Sequence, residues 1–166
     1  MAWLNAPRRL ASSGMEGATS DRQGRVGVAR QAPAAYRAMA AFDQSIELDP
    51  ALRELVKIRA SQLNGCAYCI DMHTRAARKV GEGEQRLYAL AAWRESPLFT
   101  PRERAALELT DAITKLGERG VPDAVYDRAA AHFTSEELAN LILAITAINA
   151  WNRIAVSSRM VFAEPE

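Results

Sequence analysis

Cysteine and histidine are scarce in this chain, two of each in 166 residues. That scarcity excludes a secreted disulfide framework, which in small domains takes several bridges between distant segments. An excess of charge is missing as well: 21 Lys and Arg stand against 20 Asp and Glu, a formal net charge of +1. No field of one sign exists to collect a phosphate backbone or an anionic lipid, so no nucleic acid is expected as a partner. Uninterrupted apolar runs of the roughly 20 residues that a bilayer requires are also absent. The longest, from Leu138 to Trp151, is broken by Asn140, Thr146 and Asn149 and reads as a buried helix, so no membrane partner is expected either. The first residues include Arg8 and Arg9 but no apolar segment of signal-peptide length, which makes the cytoplasm the expected location.

Strand signals are lacking too. β-branched residues are scattered, no run alternates with period two, and Asn64-Gly65 separates two helical patterns instead of two strands. With 49% hydrophobic and 25% charged residues the composition is that of a globular domain. The expected fold class is all-α, a single-domain helical bundle over residues 31–166 behind a flexible N-terminal tail, residues 1–30, that is rich in Gly, Ser and Arg and has no sustained period.

Helix punctuation is plentiful. Asp49 is placed to cap a helix that starts at Pro50, and Asn64-Gly65 to end it. A second helix begins at Cys66 and runs to Lys79, with Gly81 as its stop. Thr100 with Glu103, and Thr134 with Glu137, are capping boxes. The helix from Glu137 onward is apolar almost all round, so a neighbouring helix on each side or a second subunit must cover it. Asn149, Asn152 and Arg153 break that surface, and they either join buried hydrogen bonds at such a contact or lie exposed near the helix end. Trp93 and Trp151 read as core or interface anchors.

Both cysteines and one histidine fall within the stretch NGCAYCIDMHTRAARKVG, residues 64–81. At about 100° per residue, Cys69 lies about 60° round the axis from Cys66 and His73 falls between them. Tyr68 and Asp71 point elsewhere, and the group facing this cluster must come from another helix. A thiol at a helix start is favoured as thiolate, and an adjacent imidazole can accept its proton, which favours Cys66 as the more acidic sulfur. The spacing also permits a disulfide over one turn, so the pair is fit for thiol–disulfide or peroxide chemistry. The alternatives are a zinc site or partner-binding module with a structural CxxC, completed by a carboxylate, or inert buried cysteines. His132, the other histidine, reads as a residue at a helix C-terminus near Phe133.

The segment ELVKIRASQLNGCAYCIDMHTRAARK resembles the AhpD-like alkylhydroperoxidase group of the carboxymuconolactone decarboxylase superfamily, whose signature is Glu, eleven residues, then C-x-x-C-x-x-x-H. Glu54, Cys66, Cys69 and His73 fit it without a gap, and similarity continues through RLYALAAWRESPLFTPRERAALELTDAIT and AINAWNRIAV, covering about residues 32–160. The resemblance implies an AhpD-like helical bundle that assembles as a homo-oligomer, trimer or hexamer. It implies reduction of a small-molecule hydroperoxide without cofactor or metal. Cys69 would attack the peroxide, Cys66 would resolve the sulfenic acid, and Glu54 and His73 would form the proton relay. The disulfide would be recycled by an external dithiol reductant such as a lipoyl protein or a thioredoxin-like donor. Adaptor members of the group carry a second histidine just before the second cysteine, where this chain has Tyr68, a poor base near neutrality. Without the resemblance, Glu54 reads as a salt-bridge partner of Lys57 on a solvated face. A thiol–disulfide relay is the alternative within the group; decarboxylation, known elsewhere in the superfamily, does not rely on this thiol pair.

Overall fold

The computed structural model describes residues 25–161. Most of the expected tail, residues 1–24, lies outside the described residues, and a short helix, α1 (Val28–Gln31), straddles the boundary placed after residue 30. Seven further helices follow: α2 (Pro33–Gln44), α3 (Pro50–Asn64), α4 (Ala67–Lys79), α5 (Glu84–Ala89), α6 (Pro101–Thr114), α7 (Asp123–Ala130) and α8 (Ser135–Ser158). A 3-10 turn, Leu90–Ala92, extends α5. No strand forms among the described residues, as the missing period-two pattern requires.

The punctuation works as the residue types dictate. The Asp49 carboxylate accepts from the Leu52 N–H ahead of Pro50, and both Thr100–Glu103 and Thr134–Glu137 close as capping boxes. Gly65 takes the left-handed conformation, φ 65°, ψ 33°, which ends α3 and turns the chain at once into α4. Pro122 occupies the N-cap position of α7.

Helix α3 is the centre of the bundle, packed against α4, α6 and α8. Its apolar residues divide between two clusters. Leu52 and Val56 join Leu109, Leu141 and Ile145, while Leu55 and Ile58 join Leu90, Trp93 and Leu107. Full burial of each such side chain contributes about 1.5–3 kcal/mol. A third cluster sits between the α3–α4 turn and α8 and contains both cysteines with Ala60, Ile148, Trp151 and Ala155; Tyr36 and Met39 of α2 pack on it.

Helix α8 is long and apolar enough to span a membrane by length and composition, but 56% of its most apolar window is buried within the chain itself. It is the core helix that its sequence predicts. Asn149 and Asn152 are buried and bonded inside the chain: Asn64 Nδ2 donates to both side-chain oxygens at 2.9 Å, Asn149 Nδ2 donates to Thr114 Oγ1 at 3.0 Å, and Asn152 Nδ2 donates to Ser61 Oγ at 2.9 Å. Neither sequence alternative for these amides, subunit contact or exposure, describes them. They satisfy the polar face of α3 where α8 crosses it.

Candidate functional site

Glu54 lies on the face of α3 turned toward α4, one helical turn from Lys57 and two from Ser61, and all three are buried. The left-handed turn at Gly65 brings α4 back along that face, which sets His73 opposite Glu54. His73 Nδ1 and Glu54 Oε2 are 2.7 Å apart, with each residue 7% exposed. Against a carboxylate, which accepts, Nδ1 is the donor, and in the neutral ring that tautomer leaves the lone pair on Nε2. Glu54 is therefore neither on a solvated face nor paired with Lys57. Lys57, itself 4% exposed, places Nζ 2.8 Å from both carboxylate oxygens of Asp43 on α2.

Cys66 is the N-cap of α4 and not its first helical residue: its φ of −91° and ψ of 91° are extended, and its Sγ accepts from the Cys69 N–H at 3.4 Å. The angular placement of Cys66 on a helical wheel therefore fails in detail, while the convergence it anticipated is present. The two Sγ atoms are 2.7 Å apart, and both cysteines are 2% exposed. The Cys69 thiol donating to Cys66 pulls Cys66 down to about 7 despite its burial, helped by the Cys69 backbone N–H and the Asn152 amide. The same bond, then burial and the Cys66 charge, push Cys69 up, against the amide of Asn152 and the ammonium of Lys57. Cys66 is the acidic member of the pair, and its downward direction is set first by the Cys69 hydrogen bond and only then by the backbone N–H at the helix start.

Access divides the sulfurs differently. A cavity of about 20 Å³, room for about one water molecule, opens onto Cys69 and His73 between α2, α4 and α8. Tyr36, Asp43, Tyr68, Met72 and Trp151 contribute to its wall, and Cys66 does not. Tyr68 thus lines the cavity with Cys69 and His73, contrary to its expected direction away from the cluster, because that direction is measured from Cys66, an N-cap outside the helical projection. Burial first, then the charges of Tyr36 and the cysteines, raises the Tyr68 phenol above its ordinary value. Trp151, a core anchor as expected, also lines the cavity, and its buried indole N–H has no partner among the described residues.

Larger concavities lie elsewhere. One of about 460 Å³ includes His132 beside Trp93, Arg104 and Arg128, and it holds neither cysteine. Among the described residues no group of three or more His, Cys, Asp or Glu side chains converges in a way that could hold a metal ion.

Sequence reasoning brought together Glu54, Cys66, Cys69 and His73, and the structure does the same. It missed Asp43, Lys57, Ser61, Asn152 and Tyr36. The one signal available was the spacing of Glu54, Lys57 and Ser61, three polar residues on one face of a helix that is otherwise apolar on the same side.

Residues 33–112 match the Carboxymuconolactone decarboxylase family. The chain is 48% identical over 119 residues to the uncharacterized protein YdfG of Bacillus subtilis strain 168, a match spanning 72% of this chain and 81% of that protein. Among solved structures, ATU0492 of Agrobacterium tumefaciens, a protein of unknown function provisionally described as antioxidant defence protein AhpD, superposes with a TM-score of 0.81 at 42% identity, over 85% of this chain and 99% of that one. The alkylhydroperoxidase AhpD core of a peroxidase-related protein from Ralstonia eutropha JMP134 shares the fold, with a TM-score of 0.71 at 21% identity over 84% of this chain and 74% of that one.

Proposed function

The chain belongs to the carboxymuconolactone decarboxylase family, and from the dithiol it carries we propose that it is an antioxidant oxidoreductase that reduces alkyl hydroperoxides. The observation that carries this reading is one small cavity lined both by an oriented imidazole, Glu54–His73, and by a sulfur that touches a second sulfur. The label on the ATU0492 structure points the same way.

The chemistry balances over two steps. His73 takes the Cys69 proton through Nε2, and the Cys69 sulfur attacks the terminal oxygen of ROOH. An S–O bond forms, the O–O bond breaks, and the proton on His73 passes to the departing alkoxide, giving ROH and a Cys69 sulfenic acid. Cys66 then attacks the Cys69 sulfur. The S–S bond forms as S–O breaks, and the hydroxide leaves with the Cys66 proton as water. The dithiol has lost two electrons, which an external dithiol, a lipoyl protein or a thioredoxin-like donor, restores.

The gap between the sulfurs suits the second step: a shortening of about 0.7 Å brings them to bonding distance. The small cavity suits the first, since it admits the terminal oxygen of a peroxide end-on while the alkyl group stays against Tyr36, Met72 and Trp151. The same reading includes work in the cytoplasm and assembly into a trimer or hexamer, for which exposed Phe42, Leu143 and Val156 offer apolar surface.

Thiol titration before and after one equivalent of cumene hydroperoxide, with mass spectrometry of the product, tests the reading. Two thiols are expected to disappear into one intramolecular link between Cys66 and Cys69. Cys69→Ser is expected to abolish turnover and Cys66→Ser to accumulate a sulfenic acid. Equal peroxide consumption with and without Cys69 would end it.

A further inference from the structure

The reductive half of the proposed cycle has no path through the closed bundle. Thiol–disulfide exchange requires a thiolate of the reductant to touch one sulfur of the disulfide. Both cysteines are buried, and the cavity that borders Cys69 measures about 20 Å³, room for about one water molecule. A thiolate sulfur together with the carbon that bears it is larger than that. One wall must therefore move, and the walls are α2, α4 and α8.

We propose that α2 is a lid: it lifts from the bundle about residues 45–48, and only then does an external dithiol reach the Cys66–Cys69 disulfide. The proposal deepens the peroxidase reading and rests on it for the disulfide and its reductant, while its test uses no peroxide. A reductant thiolate attacks Cys69, the sulfur at the cavity. A mixed disulfide forms as the Cys66–Cys69 bond breaks, and Cys66 leaves as thiolate at the start of α4, where the Cys69 N–H already faces it. The second thiolate of the reductant then attacks the reductant's own sulfur in the mixed disulfide, closing a disulfide there and releasing Cys69. Two electrons and two protons pass from the reductant to the two cysteines.

Burial singles out α2 among the three walls. Moving α4 would part His73 from Glu54, and moving α8 would open the apolar clusters that it completes. Both helices carry buried residues, whereas α2 has none in its 12 residues. Its half-buried side chains are Tyr36, Met39, Ala40 and Asp43, a single stripe at i, i+3, i+4 and i+7, and every other residue of the helix is exposed. The lid thus lies on the bundle along one narrow line.

The attachments define a hinge and a latch. Just past α2 the chain is pinned: Ile46 is buried with Ala144 and Ala147 of α8, and the Glu47 N–H donates to Asn140 Oδ1 at 3.0 Å. Along α2 itself the ties are the Asp43–Lys57 ion pair and the edge-on contact of Tyr36 with Trp151, ring centroids 5.1 Å apart. Ahead of α1, Arg25 Nη1 donates to the Ser157 carbonyl at the surface. A buried ion pair contributes little net, because desolvation offsets its attraction. Once lifted, a helix of this length is marginal in water, so opening and unwinding are one event.

Substitutions on the solvent side of α2 test this without altering the cavity. Ala38 and Ala41 are exposed and line no part of it. Ala38→Gly and Ala41→Gly each weaken the docked helix through propensity alone, which is expected to raise the open fraction about fivefold singly and about twentyfold together. Iodoacetamide labelling of the reduced full-length protein, read by peptide mass spectrometry, is expected to accelerate by these factors. Hydrogen exchange of the α2 amides is expected to follow, with the amides of α3 and α4 at their native rates. After oxidation by diamide, reduction of the disulfide by dithiothreitol is expected to accelerate equally. Ala124→Gly, exposed on α7, is the control and is expected to change none of these rates. Native labelling and reduction rates in the double variant would overturn the proposal. So would equal acceleration by Ala124→Gly, which would assign access to opening of the whole chain, and so would α2 amides as protected as those of α3. Should the protein prove inert to hydroperoxide, the peroxidase reading falls while these rates still decide whether α2 gates the dithiol.

Discussion

His73 Nδ1 and Glu54 Oε2, on separate helices, lie 2.7 Å apart in a region closed to solvent. Glu54→Gln keeps the size and lets an amide oxygen accept from the ring, but it removes the charge that stabilises a protonated imidazole. Turnover with hydroperoxide is expected to fall about a hundredfold with little change in KM, the range that positioned acid–base groups contribute. Steady-state kinetics against pH measure it, and an unchanged kcat would separate Glu54 from the relay.

The Cys66 thiol, held near 7 by the proton that Cys69 donates, makes the stability of the reduced protein depend on pH. Between about 7 and the ordinary thiol range the folded chain binds fewer protons than the unfolded chain, so stability rises with pH there and is lost as pH falls through about 7. Above the ordinary range the sign reverses, because Cys69, pushed up, keeps a proton that the unfolded chain has released. Cys69→Ala is expected to move the Cys66 titration upward, followed by ultraviolet absorbance of the thiolate. A titration that stays near 7 would exclude the sulfur–sulfur hydrogen bond as its cause.

Tyr68 supplies the third expectation. Its phenol is raised above an already high value and is no base at neutrality. Tyr68→His restores the second histidine of the adaptor members beside a cavity that Tyr68 already lines. The rate of sulfenic acid formation is expected to increase severalfold at pH 7, as stopped-flow measurement would show, and a slower variant would mean that the ring of Tyr68 is required for packing against Tyr36 and Trp151.

Away from the site, Thr134→Ala removes the side chain that accepts from the Glu137 N–H at the start of α8. A loss of about 1 kcal/mol in denaturant unfolding is expected, with peroxide turnover unchanged. A much larger loss would show that the cap also fixes the approach of α7.

The elements were legible wherever local chemistry decides them. Asp49, Gly65, Thr100 and Thr134 act within a few residues of themselves, and the helix limits they set are present in the structure. Glu54 and His73 were legible as a pair only through their spacing across a turn, in the context of a family resemblance. Asp43 and Lys57 were not, because their contact joins separate helices and depends on how α2 lies over α3. Asn149 and Asn152 were misjudged for the same reason: an amide in an apolar helix says that a partner is needed, and only packing reveals that Asn64 and Ser61 are it. The projection of Cys66 failed because a capping residue does not obey helical angles.

The tight reversal at Gly65 has a further consequence. One added residue in that corner would break the turn that sets α4 against α3, and the ring would move away from its carboxylate while every helix remained intact. Chain length at this corner works as a vernier for the chemistry: a protein lengthened there would fold, melt and sediment much as before, yet be catalytically silent.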